Sequence, residues 1–180
     1  GANWLSIIPG TDTAFMLGLA FELETNNLLD RAFLTKYTVG YEKFKMYLLG
    51  ESDSKPKNAE WAEKICGVSA DQIKSIARKI SKERTLITVA WSLQRAQNGE
   101  QPYWMATTLA AMLGQIGLPG GGIGFGYGAI GGVGIPIKNF GGLSLPKGKN
   151  SVSDFIPVAR IADMLNKPNT SYEFNGEKRI

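Results

Sequence analysis

Histidine is absent from this chain, and cysteine occurs once, at Cys66. The lack of histidine removes Ser-His-Asp and Cys-His nucleophile pairs, and with a single thiol it leaves nothing from which to build a Cys/His metal site. One cysteine also forbids an internal disulfide. Carboxylates, Lys, Tyr and Arg are what remain for acid-base or electrostatic work. Long apolar runs are missing too: no stretch approaches the roughly 20 residues of a bilayer span, and the first residues carry neither the basic region nor the cleavage site of a signal peptide. Excess charge of one sign is slight, with 20 Lys and Arg against 16 Asp and Glu. The basic residues Lys43, Lys45, Lys64, Lys74, Arg78 and Lys79 fall at helical spacing between apolar positions. That spacing describes a solvated helix face better than a nucleic-acid surface.

A length of 180 residues is enough to bury a core and argues for one domain. The ends, "GANW" and "KRI", have the look of cuts, so the chain is expected to be a piece of a longer polypeptide. "NWLSII" has the length and content of a short buried strand, and "PGTDTAF" turns at once into a helix that is apolar on nearly every face through Thr25. "LDRAFLTKY" and "YEKFKMYLLG" read as two more helices, the second closing at Gly50. "ESDSKPKN" reads as a polar surface loop. "AEWAEKICG" ends on Gly67, and "SADQIKSIARKISKE" opens with Ser69 and Gln72 at capping-box spacing and keeps Ile73, Ile76, Ala77 and Ile80 on one face. "TLITVAW" is apolar throughout, which predicts a central parallel strand buried on both faces. Pro102 then opens a strongly apolar helix, "YWMATTLAAMLGQIG". From Gly114 to Gly148 the glycine density excludes a regular element. "FIPVARIADMLN" predicts a helix, and "YEFNGEKRI" a hairpin turning at Asn175-Gly176.

Strands that alternate with helices predict an α/β layered fold with a short parallel sheet flanked by helices, in which ligands bind beyond the carboxyl ends of the strands. The expected division is an α/β core over 1–118, a Gly-rich loop over 119–150, and a C-terminal helix and tail over 151–180. The two strand ends are "IIPGTD" and "VAWSLQR". At the first, Thr11 or Asp12 suits a helix N-cap, while Gly10 and the Asp12 carboxylate equally suit a ligand with a paired donor edge, such as guanine. At the second, Trp91, Ser92, Gln94 and Arg95 are either a solvated loop or polar groups projecting where such folds hold ligands. An arginine there suits a phosphate or planar acceptor. "GYGAIG" (126–131) has dinucleotide-fingerprint spacing without the strand-to-helix context. "GGLSLPKGKN" misses P-loop spacing by one residue and has Asn150 where Ser or Thr is needed. Cys66 reads as a small core residue, and Asn169-Thr170-Ser171 as a sequon without an export context.

Taken together, "IIPGTDTAF", "AWSLQRAQNGEQPYWM" and "AAMLGQIGLPGGGIGFGYG" resemble the molybdopterin oxidoreductases of the dimethyl sulfoxide reductase family. Within it they are similar to the S- and N-oxide reductases, which act on biotin sulfoxide, trimethylamine N-oxide or dimethyl sulfoxide. The likeness extends over "AEWAEKICGVSADQIKSIAR" and "FIPVARIADML". It implies a dinucleotide-binding-like α/β domain that holds half of a bis(molybdopterin guanine dinucleotide) molybdenum cofactor. By the resemblance, Gly10, Thr11 and Asp12 match the PGTD cofactor turn and Trp91, Ser92 and Arg95 match the WSLQR contacts. Asp12 then serves the guanine, and Arg95, with Gln94 and Gln101, phosphate or pterin groups. Relatives carry an aromatic residue and a histidine where this chain has Ala96, Gln97, Asn98 and Gly128. The resemblance places the molybdenum-ligating serine upstream of Gly1 and more cofactor contacts downstream of Ile180, so no catalytic residue or metal ligand is expected here. It further implies, for the whole enzyme, an oxide substrate, a cytochrome or similar electron donor and a periplasmic setting, with no nucleic acid and no membrane span. A stand-alone guanine-nucleotide or phosphate-binding module is the rival reading.

Overall fold

The computed structural model describes residues 2–125, 148, 149, 151, 155–174 and 176–179. Its contacts divide the chain into two units, Gly1–Ile137 and Lys138–Ile180. The first unit is built around α1 (Asp12–Thr25), whose Leu17, Leu19, Ala20 and Leu23 are all buried. A helix apolar on every side needs neighbours on every side. It finds them in α4 (Ala59–Cys66) and α5 (Ala70–Ile80), and in α6 (Gln101–Met112). Two short helices, α2 (Arg31–Tyr37) and α3 (Tyr41–Leu48), complete the helical body.

The helix ends follow their sequence signals. The side chains of Asp30 and Asn58 each accept from the backbone N–H three residues on, at 2.8 Å. Ser69 caps α5 while its hydroxyl donates to Gln72 Oε1 at 3.0 Å. At the end of α3, Gly50 N–H bonds to Tyr47 O at 3.1 Å and Glu51 N–H to Met46 O at 2.8 Å, the paired bonds of a Schellman stop. Cys66 is fully buried, as a small core residue should be.

The sheet of this unit is a parallel pair, β1 (Leu86–Val89) and β2 (Gly122–Phe125), in register Leu86↔Gly122, with α6 in the crossover. Three expectations are corrected here. "NWLSII" is not a strand: it runs beside the core with Leu5 and Ile7 half-buried. Its one bond to a distant backbone among the described residues is Ile8 N–H to Cys66 O, so it lacks a ladder. β1 is parallel but not buried on both faces, because its residues alternate between exposed and half-buried and Leu86 is 43% exposed. Finally, Gly122–Phe125 is a regular strand inside the glycine-dense segment. The β1 ladder supplies its hydrogen bonds, and Gly122 opens it at φ +89°, where a Cβ would stand 3.0 Å from Ile116 Cα. The "GYGAIG" stretch and Gly128 lie outside the described residues, and "GGLSLPKGKN" lies almost wholly outside them.

"ESDSKPKN" is exposed except for half-buried Asn58 and for Lys57, which is 2% exposed. Its ammonium meets the Asp53 carboxylate at 2.7 and 2.9 Å, donates to the Lys55 carbonyl and lies 4.1 Å from the Tyr47 ring centroid. A buried cation is tolerable only with such partners.

The second unit contains a 3-10 turn at Val158–Arg160 running into α7 (Ile161–Asn166), and a hairpin of β3 (Tyr172–Phe174) and β4 (Glu177–Arg179). The helix is shorter than "FIPVARIADMLN" predicts: the chain is extended at Pro157, and the next three residues form the 3-10 turn. The hairpin forms as expected, with Tyr172 opposite Arg179.

Candidate functional site

The turn Pro9-Gly10 follows from the need to reverse the chain into α1. Gly10 adopts φ +80°, and a side chain there would meet nothing within 4 Å, so the backbone is open to whatever lies beside it. Thr11 N–H and Thr11 Oγ1 both donate to the Ile8 carbonyl, at 3.2 and 2.6 Å. The helix cap expected of Thr11 or Asp12 is therefore not made: α1 has no side-chain cap bond. Phe15 N–H is the first amide to find an α1-type partner, Thr11 O. The Asp12 carboxylate, at the first helical position, makes no hydrogen bond or ion pair among the described residues.

Across from it, β1 ends in a 3-10 turn at Trp91–Gln94, followed by tight turns closed by Arg95 N–H to Ser92 O, Gly99 N–H to Ala96 O and Gln101 N–H to Asn98 O, each 3.0 Å. Asn98 takes φ 58°, which asparagine tolerates better than most residues. Gly99 is buried, and a Cβ on it would stand 2.5 Å from the Gln94 carbonyl oxygen. The turns deliver the chain to Gln101 and Pro102, the first residues of α6.

These two walls flank an open cleft of about 370 Å³, lined on one side by Gly10, Asp12 and Thr13 and on the other by Ser92, Leu93, Ala96, Gln97, Asn98, Gly99, Gln101 and Pro102. Among the candidates named from sequence, Gly10, Asp12 and Ser92 come together here, with Gln101. Thr11, Trp91, Gln94 and Arg95 do not line it. Arg95 is exposed and forms no ion pair among the described residues. Two helix N-termini, those of α1 and α6, open on the cleft and present the positive ends of their dipoles. An apolar cavity of about 530 Å³ shares Thr13 and Gln101 with it and is walled by Leu17, Tyr41, Phe44 and Trp104.

Sequence reasoning missed three supports. Tyr103 donates to the carbonyls of Ala90 and Trp91, and Gln115 ties the entry to β1 by accepting from Thr85 N–H at 2.8 Å and donating to Glu83 O at 2.9 Å. Gly99 is the third, though Asn98-Gly99 is a legible turn signal. Away from the cleft, Glu24 is buried beside Arg31 and Lys45, each at 3.1 Å, and accepts from the Tyr41 hydroxyl at 2.7 Å. Burial pushes the Glu24 carboxyl up, but its bonds to Tyr41, Arg31 and Lys45 together hold it below its ordinary value. Burial and the Glu24 charge push the Tyr41 hydroxyl well above its ordinary value. Among the described residues, no three carboxylate or thiol groups converge as a metal site, and no helix is long and apolar enough to cross a membrane.

A glycine turn entering a long helix, facing a polar turn at the end of a parallel strand, is the layout of an α/β ligand-binding domain. The family model for molybdopterin oxidoreductases matches residues 2–175, and the chain belongs to that family. It is 48% identical over 178 residues to biotin sulfoxide reductase of Cereibacter sphaeroides, 46% identical to dimethyl sulfoxide/trimethylamine N-oxide reductase of Rhodobacter capsulatus, and 47% identical to trimethylamine-N-oxide reductase of Pasteurella multocida. Each match covers 99% of this chain but only 23 to 24% of the relative, so the chain spans about a quarter of their length.

Proposed function

We propose that this chain is the segment of a molybdenum S- or N-oxide reductase that holds one half of a bis(molybdopterin guanine dinucleotide) cofactor. One observation carries the reading: Asp12 and Ser92, from two motifs about eighty residues apart, line one cleft beside two helix N-termini. The group fits that cleft. A carboxylate without a protein partner accepts from the N1–H and 2-amino group of guanine, a pairing stronger than a neutral one. Helix N-termini favour the charge of a diphosphate, and Gly10 lets backbone approach it. Ser92, Gln97 and Asn98 supply further polar contacts. Arg95 and Gln94, at the exposed end of the same turn, are assigned to phosphate or pterin oxygens. Trp91 shapes that turn, and Thr11 locks the entry to α1.

The cofactor supplies the molybdenum centre that takes the oxygen atom from a sulfoxide or amine N-oxide. This chain binds and orients it. The metal-ligating residue, the docking face of a cytochrome or similar donor, and the signal for a periplasmic setting belong to the rest of the polypeptide. The rival, a stand-alone guanine-nucleotide module, would use the same cleft. The reductase reading is favoured because the relatives match along this whole chain and carry reductase names.

The test uses the complete enzyme. Asp12→Asn presents a donor where guanine also donates, and should weaken cofactor retention by about 2 to 3 kcal/mol, since bonds to charged groups are the stronger ones and an unpaired buried donor adds desolvation. Asp12→Ser keeps a small polar side chain at a position that makes no helix cap, but cannot pair with two donors. Both variants are expected to fold while guanine nucleotide and molybdenum per polypeptide fall. Full cofactor content in both variants would overturn the assignment.

A further inference from the structure

We propose that Tyr103 is a positioning residue for the cofactor cleft, acting as the latch that holds the cleft's outer wall at its working distance from α1. The inference rests on the cleft being the cofactor site.

Residues 91–100 form a loop that runs from the end of β1 to α6 through a 3-10 turn and tight turns, with the two ends brought together by Tyr103 in the first turn of α6. Within it, no side chain from Ser92 to Asn98 makes a hydrogen bond among the described residues. The wall is therefore shaped by backbone turns and by what fastens its ends. Tyr103 fastens them: its hydroxyl lies 2.8 Å from the Ala90 carbonyl and 3.1 Å from the Trp91 carbonyl, so one proton is shared between the last two residues before Ser92. The ring belongs to the first turn of α6, which Leu109 and Met112 anchor in the core. Tyr103 thus connects the loop's start directly to a rigid helix, and Gly99 closes the far end by packing against the Gln94 backbone. Without the hydroxyl, the carbonyls of Ala90 and Trp91 lose this second donor, and the turn bearing Ser92 loses a direct tie to α6. The cleft wall opposite Asp12 is then held less firmly. A side chain that fixes geometry in this way lowers the cost of ordering the site when ligand binds.

The measurement is made on the complete cofactor-loaded enzyme, comparing wild type with Tyr103→Phe, which keeps the ring and removes the hydroxyl. Asp12→Asn and Ser92→Ala serve as reports on the cleft itself. Guanine nucleotide per polypeptide is measured after extended dialysis, with amide hydrogen exchange over 90–95 and thermal unfolding of the cofactor-free protein. Y103F is expected to retain roughly two- to tenfold less nucleotide, the range of one lost hydrogen bond. Amide exchange over 90–95 should rise while the cofactor-free unfolding temperature stays put. Wild-type retention in Y103F overturns the proposal. A loss matched by a general fall in unfolding temperature, or failure to fold, makes Tyr103 a structural residue only and also overturns it. If D12N and S92A keep full nucleotide, the cleft reading fails and this inference with it. If they lose nucleotide and Y103F does not, the latch alone fails.

Discussion

Gly99→Ala is the sharpest test of the cleft wall, because its effect follows from sterics alone. A Cβ at this position would stand 2.5 Å from Gln94 O and 2.7 Å from both Gln94 C and Cα. All three are backbone atoms, with no rotamer to change. Relief requires the Gln94 backbone to retreat by about 1 Å to reach ordinary contact. Gln94 is the last residue of the 3-10 turn, so the retreat strains the Arg95 N–H to Ser92 O bond and carries Ser92 away from Asp12. Overpacking of this kind costs about 1 to 3 kcal/mol. The outer side of Gln94 is exposed, which lets the loop move outward and puts the stability cost at the low end, about 1 kcal/mol. The displacement should appear mainly in ligand retention. Gly10→Ala is the comparison: the new methyl meets nothing within 4 Å and the cost is only the positive φ, about 1 to 2 kcal/mol, with the wall left in place. Thermal unfolding of the cofactor-free enzyme should therefore rank G10A as equal to or less stable than G99A. Guanine nucleotide content should fall in both, in G10A because the new methyl takes the space through which the Gly10 backbone approaches the ligand, whereas amide exchange over 92–98 should rise in G99A alone. A G99A enzyme with full nucleotide and wild-type amide exchange over 92–98 would refute the reasoning.

The helices were legible because their signals are local. Ser69 and Gly67 mark ends by the hydrogen bonds their own side chains or φ angles permit, and the Ile73/Ala77 stripe needs only a helical period. The parallel pairing of β1 was legible from its apolar run, but its burial was not. Burial depends on what covers the sheet, and that is not a property of the seven residues of "TLITVAW". "NWLSII" failed for the same reason, since a strand exists only where another offers a ladder. The glycine-dense segment misled in the other direction: composition excluded a regular element, yet β1 recruits Gly122–Phe125 as its partner. In the cleft, Gly10, Asp12 and Ser92 come from two motifs that the sequence singles out, whereas Tyr103 reaches back a dozen residues to carbonyls, a relation that no spacing rule encodes.

Two further outcomes test the helical body that supports the cleft. Gly18→Ala should destabilise despite a helix-propensity gain of about 1 kcal/mol. The new Cβ would meet Ala62 Cβ at 2.8 Å and Ile73 Cγ2 at 3.3 Å, and pairing it with Ala62→Gly in a chemical denaturation series should recover much of the loss. Failure of that recovery would mean α1 and α4 are not in the close contact described. Glu24→Gln keeps the shape but removes the charge that Arg31, Lys45 and Tyr41 share, and should cost about 1.5 to 3 kcal/mol as bonds to a charged group are lost. The same charge gives a pH dependence of definite sign. Because the folded state holds the Glu24 carboxyl below its ordinary value of 4.5, its contribution is fully present above that pH and is lost as pH falls through the lower folded value. Denaturation midpoints taken from pH 7 down to pH 3 should therefore fall more steeply for wild type than for E24Q, the two curves converging at the acid end. Parallel curves would show that Glu24 carries no differential charge stabilisation, and that the cluster at the end of α1 is held by packing alone.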